Sequence, residues 1–390
     1  MNEQFRSAIQ ACNLNFLMGS GLSRPFLPIL GNVENFLTDL ASRAGLSEET
    51  ATIVRASIYW QYFDQVIRPN LRILKDDESC AAVRDNYRAF LKGLNFVLLK
   101  RKLTLLGKEA NLFTTNIDIF LDKSLEDLNL EYNDGFNGRF RPVFSLSNFK
   151  KSHFKRSLHF DNTSEIPVFN LLKLHGSLSW AIDDADADAK AVVLAPILGH
   201  IQQIEEITLP PGALVDIVPD ATLDDLIAGA SGKVVATEVT QFLEQYEKLL
   251  LIVNPTKEKF RHTLTNETYY ELLRLYSNEL EKENTVLFVM GFSFADEHIR
   301  DITLRSAASN PTLIIYVFAH SAGAKAEILG KFGKNTIKNE NILVLAPEDV
   351  ASRPEHFDLP TITQELFRAI LANDEDEAEN DEEPEPTPAT

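Results

Sequence analysis

Four short stretches place polar and glycine residues where apolar runs end. In "FLMGSGLS", residues 16 to 23, an apolar run meets Gly19, Ser20, Gly21 and Ser23. Glycines there allow a close backbone approach or a positive φ, and the two hydroxyls can cap a helix or bond phosphate oxygens. The pattern is G-x-G-x-S rather than G-x-G-x-x-G, and it is equally the composition of a strand-to-helix turn that holds no ligand. In "LFTTNIDIFLD", residues 112 to 122, Thr114, Thr115 and Asn116 close a run and Asp118 opens an amphipathic one. Asn116 and Asp118 are either ligand-facing groups or helix caps. "FNLLKLHGSLSW", residues 169 to 180, ends in His175 and Gly176. Histidine is suited to proton transfer near neutral pH, although at a strand end it also serves as a structural residue. "TVLFVMGFSFADEH", residues 285 to 298, carries Gly291 and Ser293, then Asp296 and Glu297 in the first turn of an expected helix, where acids favour the dipole.

These groups need a common scaffold. Short β-rich runs recur at Leu14–Met18, Leu112–Thr115, Val168–Leu174, Leu249–Val253, Val286–Met290, Leu313–Phe318 and Ile342–Leu345. Several lack apolar/polar alternation, as strands buried on both faces of a parallel sheet do. Amphipathic stretches such as "VENFLTDLASRAG", "YYELLRLYSNELEKE" and "DEHIRDITLRSA" separate many of them. The expected architecture is α/β, a doubly wound Rossmann-like parallel sheet, whose ligand crevice lies beyond the carboxyl ends of the strands. All four stretches fall there. Residues 33 to 110 read as an inserted helical subdomain, and residues 181 to 247 as a second insertion without a clear structural reading. Together, residues 1 to 372 form one expected domain.

At 390 residues and 44% hydrophobic composition, the chain can bury a sizeable core. Cys12 and Cys80 make neither a disulfide framework nor a zinc ribbon, which suits a reducing compartment. The apolar runs are too short for a membrane span and the N-terminus lacks an export pattern, so a cytoplasmic protein is expected. The formal net charge is −19, and nine acids between Asp374 and Glu385 supply much of it. That segment, 373 to 390, reads as a disordered acidic tail. The body of the chain is acidic too, which argues against direct nucleic-acid binding. One basic stretch, "FKKSHFKRSLHF" at 149 to 160, reads as a solvated loop or as a phosphate or partner contact.

The order G-x-G-x-S, T-x-N-x-D, H-G and G-x-S after a late strand resembles the sirtuin-like NAD-binding domain over residues 12 to 320. "LLIVNPTKEKF" at 250 to 260, together with "MGFSFADEHI", is similar to the bacterial sirtuin-like branch found in antiphage defence. The resemblance implies that Gly19, Ser20, Gly21 and Ser23 cradle the NAD pyrophosphate, with Gly291 and Ser293 around the adenosine ribose and Asn254 near the adenosine. It assigns Thr115 and Asn116 to the T-x-N-x-D motif. Asn116 would hold the nicotinamide ribose or a water, Asp118 the nicotinamide carboxamide, and His175 would act as a base. Breaking the nicotinamide–ribose bond passes through an oxocarbenium-like state, which needs positioning and charge stabilisation more than a strong nucleophile.

The chain also departs from sirtuin deacylases. The four zinc-binding cysteines are missing, so no zinc is expected and water becomes the acceptor. Thr115 stands where glutamine is usual, and "LSRPFLPILGN" lacks the usual proline–phenylalanine–arginine ending, which leaves Arg24 and Phe26 without an assigned role. The expected function is an NAD glycohydrolase that depletes NAD in antiphage defence. The resemblance further implies a homo-oligomer working beside a hexameric HerA-type ATPase. The alternatives are an NAD or ADP-ribose sensor without turnover and an NAD-dependent protein deacylase.

Overall fold

The computed structural model describes residues 2–29, 32–101, 106–183, 191–253, 263–333 and 339–367. Its centre is a seven-stranded, all-parallel sheet built from β1 (Asn13–Met18), β2 (Glu109–Thr114), β3 (Glu131–Asn133), β4 (Val168–Lys173), β5 (Thr285–Met290), β6 (Leu313–Phe318) and β7 (Ile342–Leu345). They lie in the order β7-β6-β5-β1-β2-β4-β3. The expected doubly wound α/β fold is therefore present. The chain builds β2, β4 and β3 on one side of β1 and then crosses to build β5, β6 and β7 on the other. The strand order thus reverses between β1 and β5, where such sheets open a crevice at their carboxyl ends.

Both faces are covered. Phe16, Leu112, Leu171 and Phe288 point into one apolar cluster, shared with the N-terminal helix Asn2–Ala11, the helical insertion and the segment 357–367. Leu17, Phe113, Leu172 and Leu287 point into the other, against the helices Thr263–Leu280, Glu297–Ser309 and Ala322–Phe332. Strands buried on both faces carry apolar side chains at successive positions, which is why they lack alternation.

One set of positions breaks that apolar pattern. Asn15, Asn111, Asn170 and Asn133 occupy paired positions on β1, β2, β4 and β3. Asn111 donates to Asn15 Oδ1 at 2.8 Å, Asn170 to Asn111 Oδ1 at 2.9 Å and Asn133 to Asn170 Oδ1 at 3.0 Å. Asn111 also donates to Glu279 Oε2 at 3.2 Å, and Glu279 is held by Lys150 at 2.6 Å and Lys282 at 2.5 Å. These buried amides partner one another, which is the condition for their burial in a sheet interior. Within the basic stretch, Lys150 is thereby committed to Glu279 and Lys151 to Asn148 Oδ1.

The insertion after β1 contains the helices Asn32–Ser42, Glu48–Tyr62, Asn70–Leu74 and Ala81–Lys100. The second insertion contributes the helices Gly199–Glu205, Leu223–Ala230 and Thr237–Leu249, and it packs on the first through Tyr59 stacked on Tyr246 and Trp60 edge-on to Phe242.

One strand expectation needs correction, and one strand is new. Leu249–Val253 is not a strand of the sheet: Leu249 ends a helix, and Ile252 makes an isolated antiparallel bridge to Gly176. β4 already has β2 and β3 as neighbours, so this apolar run packs over the strand ends instead. The short edge strand β3 was not foreseen. The acidic tail lies outside the described residues.

Candidate functional site

The turn after β1 differs from the expected strand-to-helix junction. Ser20–Ser23 form a single 3₁₀ turn without a side-chain cap at Gly19, and the next helix begins only at Asn32. No helix dipole is therefore aimed at a ligand from this turn. Gly19 donates its N–H to the Met290 carbonyl and Gly21 to the Gly291 carbonyl, each at 3.0 Å. A methyl group on Gly19 would lie 2.4 Å from the Gly291 oxygen, and one on Gly21 would lie 2.9 Å from it. Gly291 has φ +63, and a methyl there would meet Leu22. These three glycines let the β1 and β5 turns touch backbone to backbone at the switch point. The N–H groups of Gly19 and Gly21 are consequently not directed at a pyrophosphate. Ser20 and Ser293 are exposed beside this junction, and Lys331 donates to the Ser293 carbonyl at 2.9 Å.

Ser23 meets Asn116 and Asp118, more than ninety residues further along the chain, in one buried network. Ser23 Oγ donates to Asp118 Oδ2 at 2.7 Å and accepts from Asn116 Nδ2 at 3.2 Å. Tyr87, from the helix Ala81–Lys100, lies 3.0 Å from Ser23 Oγ and accepts from Asn116 Nδ2 at 3.4 Å. With the single Ser23 proton on Asp118, Tyr87 must donate its own to Ser23, and every proton is then placed. One acceptor remains: among the described residues, Asn116 Oδ1 is buried without a hydrogen-bond partner. An amide oxygen in this position can accept from a ligand N–H or O–H.

The backbone holds these groups in place. Thr114 Oγ1 donates to the Met18 carbonyl and accepts from the Asn116 N–H, both at 3.0 Å, while Thr115 N–H also reaches Met18 at 3.2 Å. Thr115 itself is half-buried. Asp118 Oδ1 accepts from the Phe120 N–H at 3.1 Å just ahead of the helix Phe120–Asp127, whose N-cap is Ile119, so one carboxylate fixes this turn and joins the network. Burial pushes the Asp118 carboxyl above the usual carboxylate range, against the pull of Lys173 and the Ser23 and Phe120 hydrogen bonds. Lys173, buried at the end of β4, donates to the Asp118 carbonyl and pairs with Asp122 at 2.6 Å.

His175 follows β4, whose end is tied to that of β2 by Leu174 N–H donating to the Thr114 carbonyl at 2.8 Å. His175 therefore shares the sheet end of Asn116 but faces a different layer. Its Nε2 lies 3.1 Å from Asp296 Oδ2, beyond the end of β5. No hydrogen bond joins His175 directly to the Ser23–Asn116–Asp118 network among the described residues. Gly176, at φ +77, completes the turn, and a methyl there would lie 2.2 Å from the Leu251 carbonyl oxygen and 2.5 Å from the Tyr269 hydroxyl.

No protein-family model and no curated protein matches the chain. The geometry thus stands alone. It joins Ser23 to Asn116 and Asp118, Gly19 and Gly21 to Gly291, and His175 to Asp296. Asn254 lies outside the described residues. Sequence reasoning missed Tyr87, which sits in an ordinary amphipathic helix with no motif around it, and Lys173, hidden inside an apolar strand. Asp296 was visible only as a helix-capping acid. Among the described residues, no group of three or more His, Cys, Asp or Glu side chains is placed to hold a metal ion, and no helix is long and apolar enough to cross a membrane.

Proposed function

We propose that the chain is an NAD glycohydrolase, cleaving NAD to nicotinamide and ADP-ribose. The observation that carries this reading is the buried Ser23–Asn116–Asp118–Tyr87 network, whose Asn116 oxygen has no partner among the described residues, set at the sheet end that also bears His175. Asn116 offers a polar ligand an acceptor, and Asp118 offers a carboxylate already held by Ser23. His175 supplies a group for moving a proton. In hydrolysis, a water oxygen bonds to the anomeric carbon as nicotinamide leaves with the glycosidic electron pair, and the water's proton passes through His175 to solvent. Such a reaction depends on placed dipoles rather than on a strong nucleophile. The hydroxyls of Ser20 and Ser293 are the exposed groups best located for the phosphates and ribose, since the Gly19 and Gly21 N–H groups are already bonded.

The resemblance in motif order adds depletion of NAD in antiphage defence and assembly into a homo-oligomer beside a HerA-type ATPase. Incubating the protein with NAD, alone and with such an ATPase, tests the reading. Free nicotinamide and ADP-ribose in equal amounts support it. Nucleotide binding with no product under both conditions would favour a sensor, and product only with an acylated peptide would favour a deacylase.

A further inference from the structure

We infer that Asp296 is the positioning residue for His175, fixing its ring orientation and its proton on Nε2, so that Nδ1 is the atom that receives a proton during turnover. This rests on the hydrolase reading for its chemistry but not for its geometry. Asp296 uses its two oxygens differently. Oδ1 accepts from the His298 and Ile299 N–H groups at 2.9 and 3.2 Å, capping the helix Glu297–Ser309, while Oδ2 faces His175 Nε2 at 3.1 Å. The cap locks the carboxylate in one rotamer, aiming the second oxygen. The histidine is held from its other end, where its carbonyl accepts from the Val253 N–H at 2.9 Å. The Asp296 side chain is only 9% exposed. Leu174, Val253, Leu273 and Ile299, together with Tyr269 and His298, line a cavity of about 20 Å³ beside the pair. With the carboxylate so little exposed, its contact with the imidazole is stronger than in water, and the partner of one ring nitrogen decides which nitrogen carries the proton.

Long-range ¹H–¹⁵N spectra of the full chain with labelled histidines test the assignment, with His175 identified by the signal lost in His175→Gln. Neutral His175 in the unaltered protein is expected as the Nε2–H tautomer alone. Asp296→Ser keeps a capping oxygen and removes the arm that reaches the ring, and Asp296→Asn keeps the shape and removes the charge. In Asp296→Ser, the His175 signal is expected to become a mixture of tautomers while thermal unfolding stays cooperative. A proton on Nδ1 in the unaltered protein, or an unchanged His175 signal in Asp296→Ser, overturns the proposal. If Asp296→Ser fails to fold, the same comparison with Asp296→Asn decides. Where nicotinamide is released, both variants are expected to lower kcat about 10–100-fold with KM changed less than about threefold. Normal tautomer behaviour without nicotinamide release would overturn the hydrolase reading and leave the role of Asp296 intact.

Discussion

The Gly21 N–H meets the Gly291 carbonyl at 3.0 Å, joining two turns that lie 270 residues apart in the chain. The contact is made possible by the absence of side chains. At Gly19 the nearest obstacles are the Gly291 oxygen and the Phe292 Cα, both backbone, which cannot rotate away.

Gly19→Ala is therefore expected to destabilise the protein by about 2 kcal/mol, the scale of overpacking a closed site. Gly330→Ala is the control. A methyl there meets nothing within 4 Å inside the helix Ala322–Phe332, and a gain of about 0.5–1 kcal/mol is expected. Urea unfolding midpoints of the two variants should move in opposite directions.

Asn116→Ala and His175→Ala should each reduce nicotinamide release by at least about 10²-fold, the lower scale for losing a positioned polar or acid–base group. Full activity in both variants, with unchanged circular dichroism, would show that the reaction occurs elsewhere.

Tyr87→Phe removes the hydroxyl that orders Ser23 and Asn116 but leaves the ring stacked on Phe120, with centroids 5.4 Å apart. Stability is expected to fall by about 1 kcal/mol, and turnover by roughly tenfold as Asn116 loses its second partner. Paired denaturation and initial-rate measurements separate the two effects.

Burial pushes the Asp134 carboxyl up to about 6, while the Phe136 N–H bonded to it at 2.9 Å pulls the other way. The folded state then holds a proton that the unfolded chain has released, so stability declines as pH rises from about 4 to about 6. Asp134→Asn keeps the acceptor without the charge. It should raise stability at pH 7 by about 2 kcal/mol and leave it nearly unchanged below pH 4, as unfolding curves across this range will show.

Glu279 behaves in the opposite way. Burial raises its carboxyl, but Lys150 and Lys282 more than offset this and hold it below the usual range. Its contribution is present above the ordinary glutamate range and is lost as pH falls through the lowered folded value. Lys150 is half exposed, so Lys150→Met should cost only about 0.5–1 kcal/mol at pH 7. The midpoint of acid unfolding should rise in that variant.

The architecture was legible because strands buried on two faces announce themselves as short apolar runs, and because polar motifs at their ends need a common edge. Leu249–Val253 misled because an apolar run covering strand ends has the composition of one inside the sheet. Ser23, Asn116 and Asp118 could be named from residue type and motif order, whereas Tyr87 could not, since its hydroxyl acquires a meaning only when the insertion folds over the sheet. The purpose of Gly19 and Gly21 was also hidden. Glycine spacing alone does not distinguish a surface that approaches a ligand from one that approaches another backbone, and here Gly291 occupies the space.

The row of asparagines running across β1, β2, β4 and β3 bears on how the sheet assembles. Strands with apolar groups on both faces tolerate a slip of two residues with little loss of oil-like contact, so hydrophobicity alone is a poor judge of alignment. A two-residue slip that sets Asn15 or Asn170 against Phe113 leaves that amide facing an apolar side chain in place of its asparagine partner. The asparagines thus act as a vernier: their hydrogen bonds favour the native alignment, in which the loops bearing Ser23, Asn116 and His175 end at matching heights.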